Sequence, residues 1–243
     1  MVKAQVPYDE QITVLAVWRE ALAIIRRYPL ATIVPALVLG GLASAPDYFI
    51  EEDSLSVLED ILTLLATGFA FYLYAAYAEE IAVEAERGTE RITVRDMLHK
   101  LGRASPFVPL VMIASTISFV IETVALVLLV LPALWLLTRW SLFAPVIVRE
   151  RLGPLAALKR SNQLVRGRFW LVFGTATVAF ILEEIVVEAG VSVGFLISGS
   201  DTWGEWIGGL IVASLITPLA ALTTSVVYAR LAARSNSPGK EAP

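Results

Sequence analysis

An all-α membrane bundle of six transmembrane helices, with three amphipathic interfacial helices at one face, is the fold class this sequence predicts. Three observations predict it. Of 243 residues, 57% are hydrophobic and 17% charged, against about 45–50% and about 25% in ordinary soluble domains. Six stretches are apolar over the roughly 20 residues that hydrocarbon demands, because hydrocarbon offers the backbone no hydrogen-bond partner. The cations crowd into alternate loops. With no cysteine and a net charge of only −4, a disulfide scaffold, a thiolate metal site, a disordered tail protein and a basic nucleic-acid binder are excluded.

The first 28 residues alternate charged and apolar side chains, and no short apolar core follows Lys3, so no cleavable signal peptide is read there. Asp9–Arg27 sets Ile12, Leu15, Trp18, Leu22 and Ile25 on one helical face, with Arg19, Arg26 and Arg27 on the other. Span one follows at about 30–50 and span two at about 57–78. Val94–Arg103 sets Met97, Leu98 and Leu101 against Arg95, Lys100 and Arg103. The apolar run from Pro106 to Val148 is too long for one crossing. A turn near Glu122 would strand Ser141–Val148 outside the bilayer. A turn at Leu131-Pro132 gives spans of about 106–130 and 132–148, with Pro132 in a first turn that tolerates its missing N–H. Pro154–Arg168 sets Leu155, Leu158 and Leu164 against Lys159, Arg160, Arg166 and Arg168. Spans five and six follow at about 169–190 and 206–228, and the single membrane domain, 1–234, closes on a polar tail, 235–243.

Eighteen of the 19 cations fall before span one, between spans two and three, between spans four and five, or after span six. The positive-inside rule therefore puts both termini in the cytoplasm, at the cell membrane. The inner side carries 18 cations and 11 anions, leaving +7; the rest of the chain carries Arg139 and 12 anions, leaving −11. Near-neutrality hides a strong dipole across the membrane. The three units of amphipathic helix plus hairpin share one orientation and enter the membrane at Tyr28-Pro29, Pro106-Phe107 and Phe169-Trp170, a pattern that admits three repeats. The Pro-x-acid-x-x-base signature of mitochondrial carriers is absent.

Arg139 lies about seven positions after the outer turn and Glu122 about nine before it, so at 1.5 Å rise per residue the two reach nearly equal depth. A charge in hydrocarbon costs several kcal/mol, so an Arg139–Glu122 ion pair is expected. Glu183, Glu184 and Glu188 in span five, with Glu205, read either as an outward-facing cation or proton site or as a helix end among headgroups. Gly190/Gly194 and Gly204/Gly208 are spaced GxxxG, and Gly40-Gly41 lies near Ser44. Small residues let helices approach closely, here within the chain in preference to a dimer face.

Pro132, Arg139, Pro145, Glu150, Ala157, Arg160-Ser161, Leu164 and Gly167 with Phe169-Trp170 resemble the membrane domain of bacterial glycerophosphoryl diester phosphodiesterases and its stand-alone bacterial and archaeal relatives. Trp18, Pro218, Thr223-Thr224 and Tyr228 extend the resemblance loosely. It implies a six-helix fold and almost nothing of activity. No soluble barrel accompanies the domain in this chain, so hydrolysis is not carried over.

No catalytic motif is found: HExxH, GxSxG and a P-loop are absent. His99 sits on a basic amphipathic helix. Glu79-Glu80 faintly resembles the EExxxR of membrane-embedded proteases, but Glu84 holds the arginine's place. Ser200 has no base to activate it. The reading is a non-catalytic membrane protein, without cofactor or metal, that organises lipid or a protein partner, a second copy included. Arg26, Arg27, Lys100, Arg103, Lys159, Arg160, Arg166 and Arg168 would contact anionic headgroups on the cytoplasmic side. The alternative is a transporter or channel working through the acids of span five.

Overall fold

The computed structural model describes residues 12–49, 57–128, 130–199 and 202–235, with side chains for all of these except 46–49, 57–64, 66–67, 122–123 and 125–128. The described elements are helical throughout. α1 (Val14–Arg27) is N-capped by Thr13, whose hydroxyl accepts the Ala16 N–H at 3.2 Å. Pro29, at the first position of α2 (Pro29–Phe49), suits a helix start, and α2 leaves α1 at 90°. α3 (Val57–Arg87) leads to α4 (Val94–Ala104), which opens on a capping box between Thr93 and Asp96. A 3₁₀ turn, Ser105–Phe107, joins α4 to α5 (Val108–Leu128). Then come α6 (Val130–Trp140), α7 (Phe143–Glu150), α8 (Pro154–Val165) and α9 (Phe169–Val172). A π-helical turn, Phe173–Thr177, leads into α10 (Val178–Ser198), and α11 (Thr202–Ser235) completes the order.

Among the described residues three helical runs are long and apolar enough to cross a membrane: Val94–Ile121, Val130–Glu150 and Thr202–Ser235. The bent pair α1–α2 makes a fourth. α10 is 21 residues long but carries three glutamates. The outer surfaces of α2, α5, α10 and α11 expose Leu42, Phe119, Ile185, Leu196, Ile197 and Leu215, each at least 56% accessible. Such broad apolar cover on so many helices fits a lipid-facing surface.

The closest core packing lies toward the end of the bundle that carries the basic loops. There Val17 and Ala21 of α1 share one buried cluster with Tyr77 and Ile81 of α3, Val111 of α5, Ile147 of α7 and Leu222 and Val227 of α11. The opposite half is held by α10 against α11, where Gly190, Gly194, Gly204 and Gly208 bring the backbones together. A methyl on Gly190 would meet the Gly208 carbonyl oxygen at 2.9 Å. The GxxxG spacing thus serves packing within one chain. Gly41 likewise seats Leu210, whose methyl would lie 3.3 Å from an added Cβ.

Three features differ from the expectations. In the long apolar run α5 ends at Leu128 and α6 begins at Val130, so Pro132 becomes the third residue of α6, where an N–H would find no intrahelical acceptor. The interfacial units are not alike: α1 turns 90° from α2, α4 runs on into α5 through the 3₁₀ turn, and α8 packs against α7. The path of span four also breaks at Ser141-Leu142. Ser161 of α8 closes the break, donating to the Arg139 carbonyl at 2.8 Å and accepting the Leu142 N–H at 3.2 Å. The π turn frees the Thr175 carbonyl to accept the Trp18 indole N–H at 3.3 Å.

Candidate functional site at the ion-paired end

The end of the bundle bearing the basic loops is built from charge pairs between helices. Glu79 and Glu86 stand seven residues apart on one face of α3 and bracket Arg149 of α7. The guanidinium donates from Nε to Glu79 at 2.9 Å and from Nη1 to Glu86 at 2.8 Å. Glu79 is 2% exposed, and the Ser225 hydroxyl of α11 donates to its other oxygen. Arg149 also lies over the Tyr228 ring, 5.4 Å from its centroid. The Tyr228 hydroxyl donates to Glu150 at 3.0 Å, and Arg160 of α8 bonds both oxygens of the same carboxylate at 3.1 Å. One chain of charges thus ties α3, α7, α8 and α11 together.

A second set joins α3 to α4. Lys100 Nζ lies 2.7 Å from Glu84, Thr89 donates to the other Glu84 oxygen at 2.6 Å, and Arg103 lies 3.3 Å from Glu80. The Lys100 hydrogen bond, followed by that from Thr89, holds the Glu84 carboxyl down at about 2. Arg230 of α11 pairs with Glu20 of α1, and Arg27 donates to the Gly88 carbonyl at 2.9 Å. Glu79, Glu80 and Glu84, which in sequence hint at a protease motif, are therefore counter-ions of the basic loops.

The predicted headgroup cations divide. Arg26, Arg27, Lys159, Arg166 and Arg168 are exposed. Lys100 is not a surface cation: its side chain is 8% exposed and engaged with Glu84. Counting helix faces from hydrophobicity alone put Met97, Leu98 and Leu101 inward; the structure buries Met97, Lys100 and Ala104 and leaves Leu98 65% exposed. Arg103 and Arg160 remain partly exposed but are paired to Glu80 and Glu150.

The acids of span five do not gather. Glu183 is buried and hydrogen-bonded to Thr217 of α11, whereas Glu184 and Glu188 are exposed. Glu205 lines a shallow groove with Val191, Ser192, Phe195 and Leu196. Among the described residues no group of three such side chains could hold a metal ion. The Glu122 side chain lies outside the described residues, and with it the expected pair to Arg139. Arg139 donates to Asn162 Oδ1 at 2.8 Å, stacks 4.1 Å over the Trp135 ring, and has a buried Nε without a partner among the described residues.

Asn162 and Ser225 were beyond the reach of sequence reasoning, and Tyr228 entered it only through the resemblance, with no role attached. The one signal for the pairing was four acids, Glu79, Glu80, Glu84 and Glu86, at the end of an apolar run that faces three basic loops. No family model, no curated protein and no solved structure matches the chain.

Proposed function

We propose that this chain is a non-catalytic membrane protein of six spans, with both termini cytoplasmic, that binds anionic phospholipid at its basic end. One observation carries the reading. α1 lies across the bundle with Val17, Ala21 and Ile24 packed inward, while Leu15 and Leu22 remain 58% and 37% exposed beside the exposed Arg19 and Arg26. Neither arginine pairs with a carboxylate among the described residues. An apolar flank bordered by free cations suits the boundary between acyl chains and anionic headgroups, at about 1 kcal/mol per cation. Exposed Trp170 beside Arg168 supplies a second such boundary, of the kind interfacial tryptophans mark.

The test is thermal melting of the purified protein in mild detergent with added phosphatidylglycerol or phosphatidylcholine at low and high salt. Phosphatidylglycerol should raise Tm more, and salt should shrink the difference. Equal effects of the two lipids would overturn the reading. Orientation is checked by single cysteines at Ser54 and Ser237, introduced into a chain that has none. A membrane-impermeant maleimide should label the first from outside and the second only from inside.

A further inference from the structure

We propose that Arg139, Asn162, Lys159 and Arg166 form a discrete site for one phosphate group, with a phospholipid headgroup as its source. The inference rests on the lipid-binding reading and sharpens it to a place. Among the described residues the half-buried arginines Arg149, Arg160 and Arg230 each take a carboxylate; Arg139, equally half-buried, takes none. Among the described residues its one side-chain hydrogen-bond partner is the Asn162 amide oxygen, at 2.8 Å. A guanidinium has no acceptor, so this contact commits Oδ1 to Arg139 and turns the Asn162 NH₂ outward. Both groups then offer only donors. The Trp135 ring holds the guanidinium plane 4.1 Å from its centroid, so the remaining donors are aimed.

Lys159 stands three residues before Asn162 on α8 and Arg166 caps the helix four residues after it, and both are exposed and free of carboxylates among the described residues. An amide donor flanked along α8 by two cations and touching a third, with no carboxylate on any of them among the described residues, calls for a multivalent anionic acceptor. Phosphate fits: it takes several N–H donors at once and binds guanidinium through two of them. The neighbouring surface points to a lipid. Trp135 and Leu131, four and eight residues before Arg139 on α6, are 45% and 77% exposed, giving an apolar strip along which an acyl chain can lie.

Position agrees. Thr138, adjacent to Arg139, meets the Thr177 hydroxyl at 3.0 Å, and Thr175 on that turn accepts from Trp18 of α1. Arg139 is therefore level with α1, the helix whose exposed arginines the lipid-binding reading places among headgroups.

The test is native mass spectrometry of the full chain in detergent, titrated with phosphatidylglycerol, phosphatidylcholine or inorganic phosphate. Wild type should retain one phosphatidylglycerol at least tenfold more tightly than the rest. Arg139→Gln should lose that step. Asn162→Asp keeps the contact and supplies a carboxylate, so it should remain folded by circular dichroism and still lose at least tenfold in the tight step. Gly102→Ala, with nothing within 4 Å of its Cβ position, should leave it unchanged. A folded Asn162→Asp that retains the tight lipid overturns the site, even if phosphatidylglycerol still stabilises the protein generally. Loss of any preference for phosphatidylglycerol in wild type overturns the broader reading instead. Displacement of the lipid by millimolar inorganic phosphate would overturn the lipid as the source.

Discussion

Replacing Gly194 by alanine tests the packing of α10 on α11 with a single methyl group. The added Cβ would meet the Gly204 carbonyl group, with its carbon at 2.8 Å, and the Glu205 Cα at 3.2 Å. Carbon atoms rest at about 3.5–4.0 Å, so the two helices must part by about 0.7 Å or more at this point. Both partners are backbone, and neither can rotate aside. A gap of 0.5–1 Å forfeits about a quarter to a half of each dispersion contact it opens. Here it opens along a seam that also includes Gly190 against Val212 and Gly209 against Val191. Overpacking costs about 1–3 kcal/mol, and with backbone on both sides the upper figure is expected. At about 2–4 °C per kcal/mol for a chain of this size, Tm should fall by about 6–12 °C. The assay is thermal melting in detergent, read by loss of helical circular dichroism, with Gly102→Ala as the internal control. Gly102 lies inside α4 with nothing within 4 Å of its Cβ position. Alanine there should stabilise by about 1 kcal/mol through helix propensity. If Gly194→Ala melts within 2 °C of wild type, or shifts as Gly102→Ala does, the reasoning fails.

Arg149→Met should cost about 3–5 kcal/mol, because it leaves the 2%-exposed Glu79 without its guanidinium. The double variant with Glu79→Gln should recover much of that loss in a double-mutant cycle; additive costs would refute the pairing as the cause. Glu84, held at about 2 in the folded protein against an ordinary value near 4.5, contributes stability that is complete above pH about 4.5 and disappears as pH falls toward 2. The stability difference between wild type and Glu84→Gln should therefore narrow across that window in melting curves at stepped pH. A constant difference would show that the Lys100 contact does not act through the carboxylate charge.

The helices themselves were legible in the chain because their causes are local. Twenty apolar residues in succession, a Thr before a helix and a Pro at its first turn act on their own neighbours, and α1, α2 and α11 follow those signals closely. The faces of α4 were not legible. Lys100 turns inward because Glu84 is waiting on α3, 16 residues upstream, and no periodicity within α4 records that. The break in span four has no glycine or proline at Ser141-Leu142 to announce it; its backbone groups are satisfied by Ser161, some 20 residues downstream. The candidate site was half legible for the same reason. Arg139 was singled out as a cation out of place, and Lys159 and Arg166 as basic, but Asn162 drew no attention until the fold set it against Arg139.

The sequence by itself determined that this protein is helical, apolar enough for a membrane and asymmetric in charge, because hydrophobicity and net charge sum over residues without regard to contacts. The tertiary structure decided which charges are spent and which remain free. A carboxylate and a guanidinium neutralise each other only when different helices bring them within about 3 Å, and an alignment of helices decides that. It turned Glu79, Glu80 and Glu84 from a suspected motif into counter-ions and took Lys100 out of the set of surface cations. It left Arg139 half-buried beside an amide, with donors and no anion among the described residues.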